Sequence, residues 1–95
     1  MRKNKLKEIF KTTDGFATSG WLHIPNSWTA EIMANACWDC VTVDMQHGLM
    51  NIETAMQMLQ AISTTNTVPL ARSLWNEPSG ICGCWIVGLT ALFAP

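Results

Sequence analysis

Apolar and polar positions change period repeatedly along this chain, and the changes mark out alternating strands and helices. Residues 21–24 form a short strand that Pro25-Asn26 closes. Ser27 is suited to cap a helix over about 28–36, with Glu31 near its positive end. Cys40-Val41-Thr42-Val43-Asp44 is rich in β-branched residues and uncharged until its last position, which predicts a second strand. Asn51 then caps a helix in which Ile52, Ala55, Met56, Leu59 and Ile62 recur at helical spacing, until Thr64-Thr65-Asn66 ends it. The methionines of that helix read as core filler rather than a ligand surface. Residues 68–72 predict a third strand, with Pro69 near its start, where a missing donor does least harm. Asn76-Glu77-Pro78 opens a third helix to about Val87, Gly88 sits at its C-terminal glycine position, and residues 91–94 predict a fourth strand.

Strand–helix repetition predicts a parallel sheet with right-handed crossovers. Two α/β architectures fit, a small doubly wound domain or part of a (β/α)8 barrel. A complete barrel takes roughly 250 residues. The 95 residues here supply about three and a half strand–helix units, residues 20–95, behind an N-terminal segment over 1–19. In that segment Leu6, Ile9 and Phe10 fall on one helical face and lysines on the other. A short amphipathic helix packed on the domain is the expected form, with a membrane-surface helix or transit peptide as the alternatives. No apolar core follows the basic residues, so the pattern is not that of a secretory signal.

Composition narrows the function classes. With 48% hydrophobic residues, 14% charged residues and a net charge of -1, the chain reads as globular, and its balance offers no field for nucleic acid. Residues 78–95 carry no charge, but Gly80, Gly83, Gly88 and Pro95 interrupt them, and a membrane span needs about 20 apolar residues. A buried helix and strand are expected there, with no membrane partner. Cys37, Cys40, Cys82 and Cys84 form a C-x-x-C and a C-x-C. Zinc binding or redox chemistry is conceivable, but the second pair is closer than zinc knuckles favour, and a helix precedes the first pair instead of following it. Reduced structural thiols in the cytoplasm are the expectation.

In parallel α/β folds, functional side chains gather beyond the C-terminal ends of strands. There the chain places His23, then Asp44, Gln46 and His47, then Arg72. An imidazole exchanges protons near neutral pH, which suits His47 to general base work. Asp44 is placed to orient it, and Arg72 offers a planar cation to a carboxylate or a developing enolate oxygen. Structural readings stand beside these: Asp44 as a turn cap, His47 as a loop residue, Arg72 as a rim ion pair, and His23 as a pocket-lining residue. Trp21, Trp28, Trp38, Trp75 and Trp85 read as packing, since no basic groove accompanies them.

Two runs carry a family resemblance: Val43-Asp44-Met45-Gln46-His47-Gly48, and Pro69-Leu70-Ala71-Arg72-Ser73-Leu74-Trp75-Asn76-Glu77-Pro78. Together with Gly20-Trp21-Leu22 and Ala30-Glu31-Ile32-Met33-Ala34, the chain resembles the HpcH/HpaI aldolases from about residue 20 to residue 95. The resemblance implies the N-terminal part of a (β/α)8 barrel. It also implies cleavage of a 4-hydroxy-2-oxo acid to pyruvate and an aldehyde through a metal-stabilised enolate, in a homo-oligomer. Magnesium or manganese is the implied cofactor, with its ligands beyond Pro95 and none within this chain. By position, His47 resembles the base, Asp44 its partner and Arg72 the residue facing the enolate oxygen. Gln46 and Trp21 fall near the substrate or a metal-bound water, Gln46 where the family often has glutamate. Cys37 stands where the family usually has a helix-ending glycine, and Trp85-Ile86 where it usually has an acidic residue. A noncatalytic module that binds a carboxylate or a protein is the alternative function.

Overall fold

The computed structural model describes residues 3–79, 81–82 and 91–93, the last three by main chain only. Among the described residues, helices α1 (Lys5–Thr12), α2 (Ser27–Ala34) and α3 (Ile52–Ser63) accompany strands β1 (Ser19–Leu22), β2 (Cys40–Asp44), β3 (Val68–Arg72) and β4 (Ala91–Phe93). The strands form one parallel sheet in the order β1-β2-β3-β4. The second and third strands keep their expected bounds, whereas β1 begins two residues before the expected strand. Pairing draws it there: Ser19 aligns with Cys40, so the ladder on β2 extends β1 toward its N-terminus. Thr18 continues the attachment, its amide and hydroxyl donating to the Asp39 carboxylate at 2.8 and 2.9 Å.

Local capping explains where the helices start. Asn51 caps α3 as expected, its side chain accepting from the Thr54 amide at 2.9 Å. At α2 the cap is Asn26, accepting from the Thr29 amide at 3.0 Å, and Ser27 is the first helical residue. Both are good capping types, and the extended backbone of Asn26 decides between them. The third expected helix begins as read, Ile81 N–H donating to the Glu77 carbonyl at 3.3 Å. Its continuation to Val87, its terminal Gly88, Cys84 and Ala94 lie outside the described residues.

Sheet register sorts side chains between two faces, because neighbours along a strand point oppositely. Leu22, Val41, Val43 and Ala71 pack against Ala30 and Ala34 of α2 and Ala55, Met58, Leu59 and Ile62 of α3. Met58 is fully buried and Met56 half-buried, so the third-helix core runs through Met58 instead of the expected Met56. On the other face Cys40, Val68 and Leu70 pack against Leu6 and Ile9 of α1. The N-terminal segment is thus an amphipathic helix packed on the domain, capped by Asn4 and carrying an exposed Lys3–Glu8 ion pair at 2.7 Å. Beyond Cys40 and Val68 on that face come Thr42 and Leu70, and then Asp44 and Arg72 at the C-terminal end. Among the described residues no helix is long and apolar enough to cross a membrane.

Candidate active site at the strand ends

Asp44 is the last residue of β2 and is fully buried, facing Arg72 across the register of β3. The main chain turns immediately after it. Its Oδ1 accepts from the amides of Gln46 and His47 at 3.0 and 3.2 Å, and its carbonyl accepts from Gly48 N–H at 3.0 Å. Such an Asx turn uses the short acidic side chain to replace missing strand partners. Gly48 is required by space, since an added Cβ would enter the Asp44 carbonyl and stand 2.8 Å from Met50 Cε.

The same carboxylate receives a fork from Arg72, Nε to Oδ1 at 2.9 Å and Nη2 to Oδ2 at 2.5 Å. Trp21 Nε1–H donates to Oδ2 at 3.0 Å, and His23 Nε2 lies 2.9 Å from the same oxygen. The Arg72 guanidinium also stands over the Trp21 ring, 5.2 Å from its centroid, where the ring quadrupole favours a cation. Burial opposes a charge on Asp44, but bonds from Arg72, Trp21, His47 and Gln46 outweigh it and hold its carboxyl far below the usual carboxylate range. Asp44 in turn raises the Arg72 guanidinium, so both partners remain charged.

The expected site residues are therefore brought to one strand-end face, in a different pairing. Asp44 meets His47 through the His47 backbone amide, while the His47 ring is exposed and, among the described residues, makes no hydrogen bond. The imidazole that Asp44 touches belongs to His23, read from sequence as a pocket-lining residue. Trp21 joins it through its indole N–H, beyond the packing role expected of it. Strand parity carried the signal, since residues 21 and 23 alternate onto the face that holds Asp44. The turn-capping and ion-pair readings of Asp44 and Arg72 both hold, and both act on one carboxylate.

An apolar cleft of about 210 Å³ adjoins the turn, lined by Met45, Met50, Ile52, Leu74 and Trp75 among others. A larger cavity of about 650 Å³ lies at the opposite end of the sheet, by Asp39 and Thr67, away from this cluster. Among the described residues no group of three or more His, Cys, Asp or Glu side chains is placed to hold a metal ion. Asp44, the only buried carboxylate among them, is fully engaged by donors. The donor set of the described residues does not fit a divalent metal.

No established family profile matches the chain. It is 35% identical over 94 residues to the 4-hydroxy-2-oxo-heptane-1,7-dioate aldolase of Salmonella dublin, a match covering 98% of this chain and 35% of that protein. The aldolase of the same name from Salmonella newport matches at 35% over the same share. The chain thus spans about a third of the length of the curated relatives it matches. In fold it is similar to an HpcH/HpaI aldolase/citrate lyase family protein from Burkholderia cenocepacia J2315, with a TM-score of 0.88 and 25% identity, covering 98% of this chain and 37% of that one. Citrate synthase SbnG shares the fold, with a TM-score of 0.81 at 22% identity over 98% of this chain and 38% of that one. The parallel sheet and its helices are accordingly part of a (β/α)8 barrel, as the strand–helix repetition and the resemblance imply. Along nearly its whole length, this chain is similar in sequence to named aldolases and in fold to a solved HpcH/HpaI aldolase/citrate lyase family protein.

Proposed function

We propose that this chain supplies the first strand ends of an aldolase site that cleaves a 4-hydroxy-2-oxo acid to pyruvate and an aldehyde. The observation that carries the reading is the Asp44–Arg72 fork at the C-terminal edge of the sheet, in a chain similar to aldolases of that name. In the cleavage, the 4-hydroxyl gives up its proton, and the bond between C3 and C4 breaks. Its electrons pass to the 2-oxo oxygen, the aldehyde leaves, and the resulting enolate takes a proton at C3 to become pyruvate. Arg72 faces the enolate oxygen: its fork to Asp44 uses two of five N–H groups and leaves the others for substrate. The exposed His47 ring takes the hydroxyl proton. Asp44 holds the turn that carries His47 and keeps Arg72 in place. Gln46 and Trp21 border the reacting atoms, where the neutral Gln46 amide hydrogen-bonds without adding charge.

A divalent metal, magnesium or manganese, belongs to the same reading, with its ligands outside this chain. So do a homo-oligomeric assembly, a cytoplasmic location, and a division into an N-terminal segment over 1–19 and a barrel portion over 20–95. The test is a chimera in which this chain replaces the 94 matched residues of the Salmonella dublin enzyme. Pyruvate release from 4-hydroxy-2-oxo-heptane-1,7-dioate, followed with magnesium or manganese present, is the expected result. His47→Ala and Arg72→Ala should each lower kcat by roughly 100-fold or more, the usual scale for losing acid–base or electrostatic help. A His47→Ala chimera with an unchanged rate would remove His47 from its role. The 95-residue chain alone should release no pyruvate.

A further inference from the structure

Six donors converge on the Asp44 carboxylate, while an ionised carboxylate offers about four lone-pair sites. Oδ1 faces the Gln46 and His47 amides and Arg72 Nε. Oδ2 faces Trp21 Nε1, His23 Nε2 and Arg72 Nη2. Asp44 is ionised and can only accept, so the His23 nitrogen 2.9 Å away must carry a proton. Oδ2 is therefore oversubscribed. If one of its three donors turns away, two remain, and the buried oxygen is still satisfied.

Arg72 is the donor that can leave Oδ2 without leaving Asp44, since its Nε stays on Oδ1 when Nη2 turns away. A buried carboxylate that lost its arginine fork would ordinarily be left short of partners, with no water to replace them. Trp21 and His23 remove that penalty at Oδ2. Resting on the aldolase reading, we propose that His23 is a positioning residue: with Trp21 it holds Oδ2 of Asp44, so that Arg72 Nη2–H is released to an oxygen of the bound oxo acid. His23 acts through Asp44 and Arg72 and does not touch the reacting atoms. Its ring stands half exposed at the rim of the cluster, 2.9 Å from a carboxylate that has no exposure.

Oxalate, a planar analogue of the pyruvate enolate, is the probe, titrated calorimetrically into the chimeric barrel with magnesium present. His23→Ala should weaken oxalate about 10-fold, the effect of one hydrogen bond to a charged group, and His23→Gln, which keeps an N–H for Oδ2, should recover all but about 3-fold. In an Arg72→Lys background His23→Ala should cost nothing further, because lysine makes no fork to release. A merely structural histidine predicts equal losses in both backgrounds, and that result overturns the proposal, as does unchanged oxalate affinity in His23→Ala. If the unsubstituted chimera neither binds oxalate nor releases pyruvate, the aldolase reading fails and the role of His23 falls with it. If it does both while His23→Ala binds as tightly, the role of His23 alone is overturned. On the 95-residue chain itself, ring-nitrogen NMR at alkaline pH should find the His23 proton on Nε2, and a proton on Nδ1 overturns the assignment.

Discussion

At the residue scale, Asp44 concentrates structure and chemistry in one side chain. Its donors depress its carboxyl in the folded state, so the group stabilises the fold most where the unfolded carboxyl is also ionised. That contribution is complete above about pH 5 and declines as pH falls through the ordinary aspartate value near 3.9 and below it. Asp44→Asn should cost the chimera about 3 kcal/mol at neutral pH, because it leaves Arg72 without its partner charge. Urea titrations of the same variant at pH 7 and pH 4 should differ less than those of the unsubstituted protein. A steeper acid loss in Asp44→Asn would contradict the assignment. Cys37 presents the opposite case, a residue at odds with its backbone. It holds φ +63 after α2, the left-handed region that favours glycine. Cys37→Gly should therefore stabilise the fold by about 0.5–1 kcal/mol, the relieved strain exceeding the added unfolded-chain entropy. Thermal melts of the pair give the sign directly.

At the scale of elements, the turn between β2 and α3 is where chain geometry becomes site geometry. Gln46 and His47 present their amides to Asp44 only because Gly48 lets the chain pass over the Asp44 carbonyl. Gly48→Ala should cost about 2 kcal/mol by displacing main chain that cannot give way. It should also lower aldolase kcat in the chimera more than the distal cap variant Asn26→Ala, whose stability cost is about 1 kcal/mol. Equal kcat for the two variants would mean that the turn does not set the site. The expected elements were legible where local signals agreed: β2 and β3 combine β-branched or apolar residues with clear punctuation, and their bounds came out as read. Where a neighbour decided, local signals misplaced the boundary. β1 is drawn toward its N-terminus by pairing with β2, and α2 starts after Asn26 because that residue takes the extended conformation a cap needs.

At the scale of the whole molecule, the described surface keeps large apolar side chains in water. Trp28 is 73% exposed, Leu49 91% and Trp75 71%, and β1 ends the described sheet with an open edge. Surfaces and edges of this kind drive association. Sedimentation velocity on the 95-residue chain alone should show open-ended, concentration-dependent self-association, which in the chimera with the Salmonella dublin enzyme should give way to one defined homo-oligomer. A monodisperse monomer with a sharp cooperative melt would show instead that these residues are sufficient by themselves.

The sequence alone determined the strand–helix order, the parallel sheet, and the strand ends at which Asp44 and Arg72 meet, because each follows from local periodicity and punctuation. It also carried the Asp-Met-Gln-His-Gly and Trp-Asn-Glu-Pro runs through which the family resemblance is recognisable. Tertiary structure decided which imidazole reaches Asp44. His47 is three positions away along the chain, yet its backbone, not its ring, faces the carboxylate, since the turn spends both amides on Oδ1. His23 lies 21 positions away and reaches Oδ2, because parallel pairing of β1 with β2 brings it alongside. Distance along the chain measures which contacts are cheap in entropy, but strand register decides which side chains share a face.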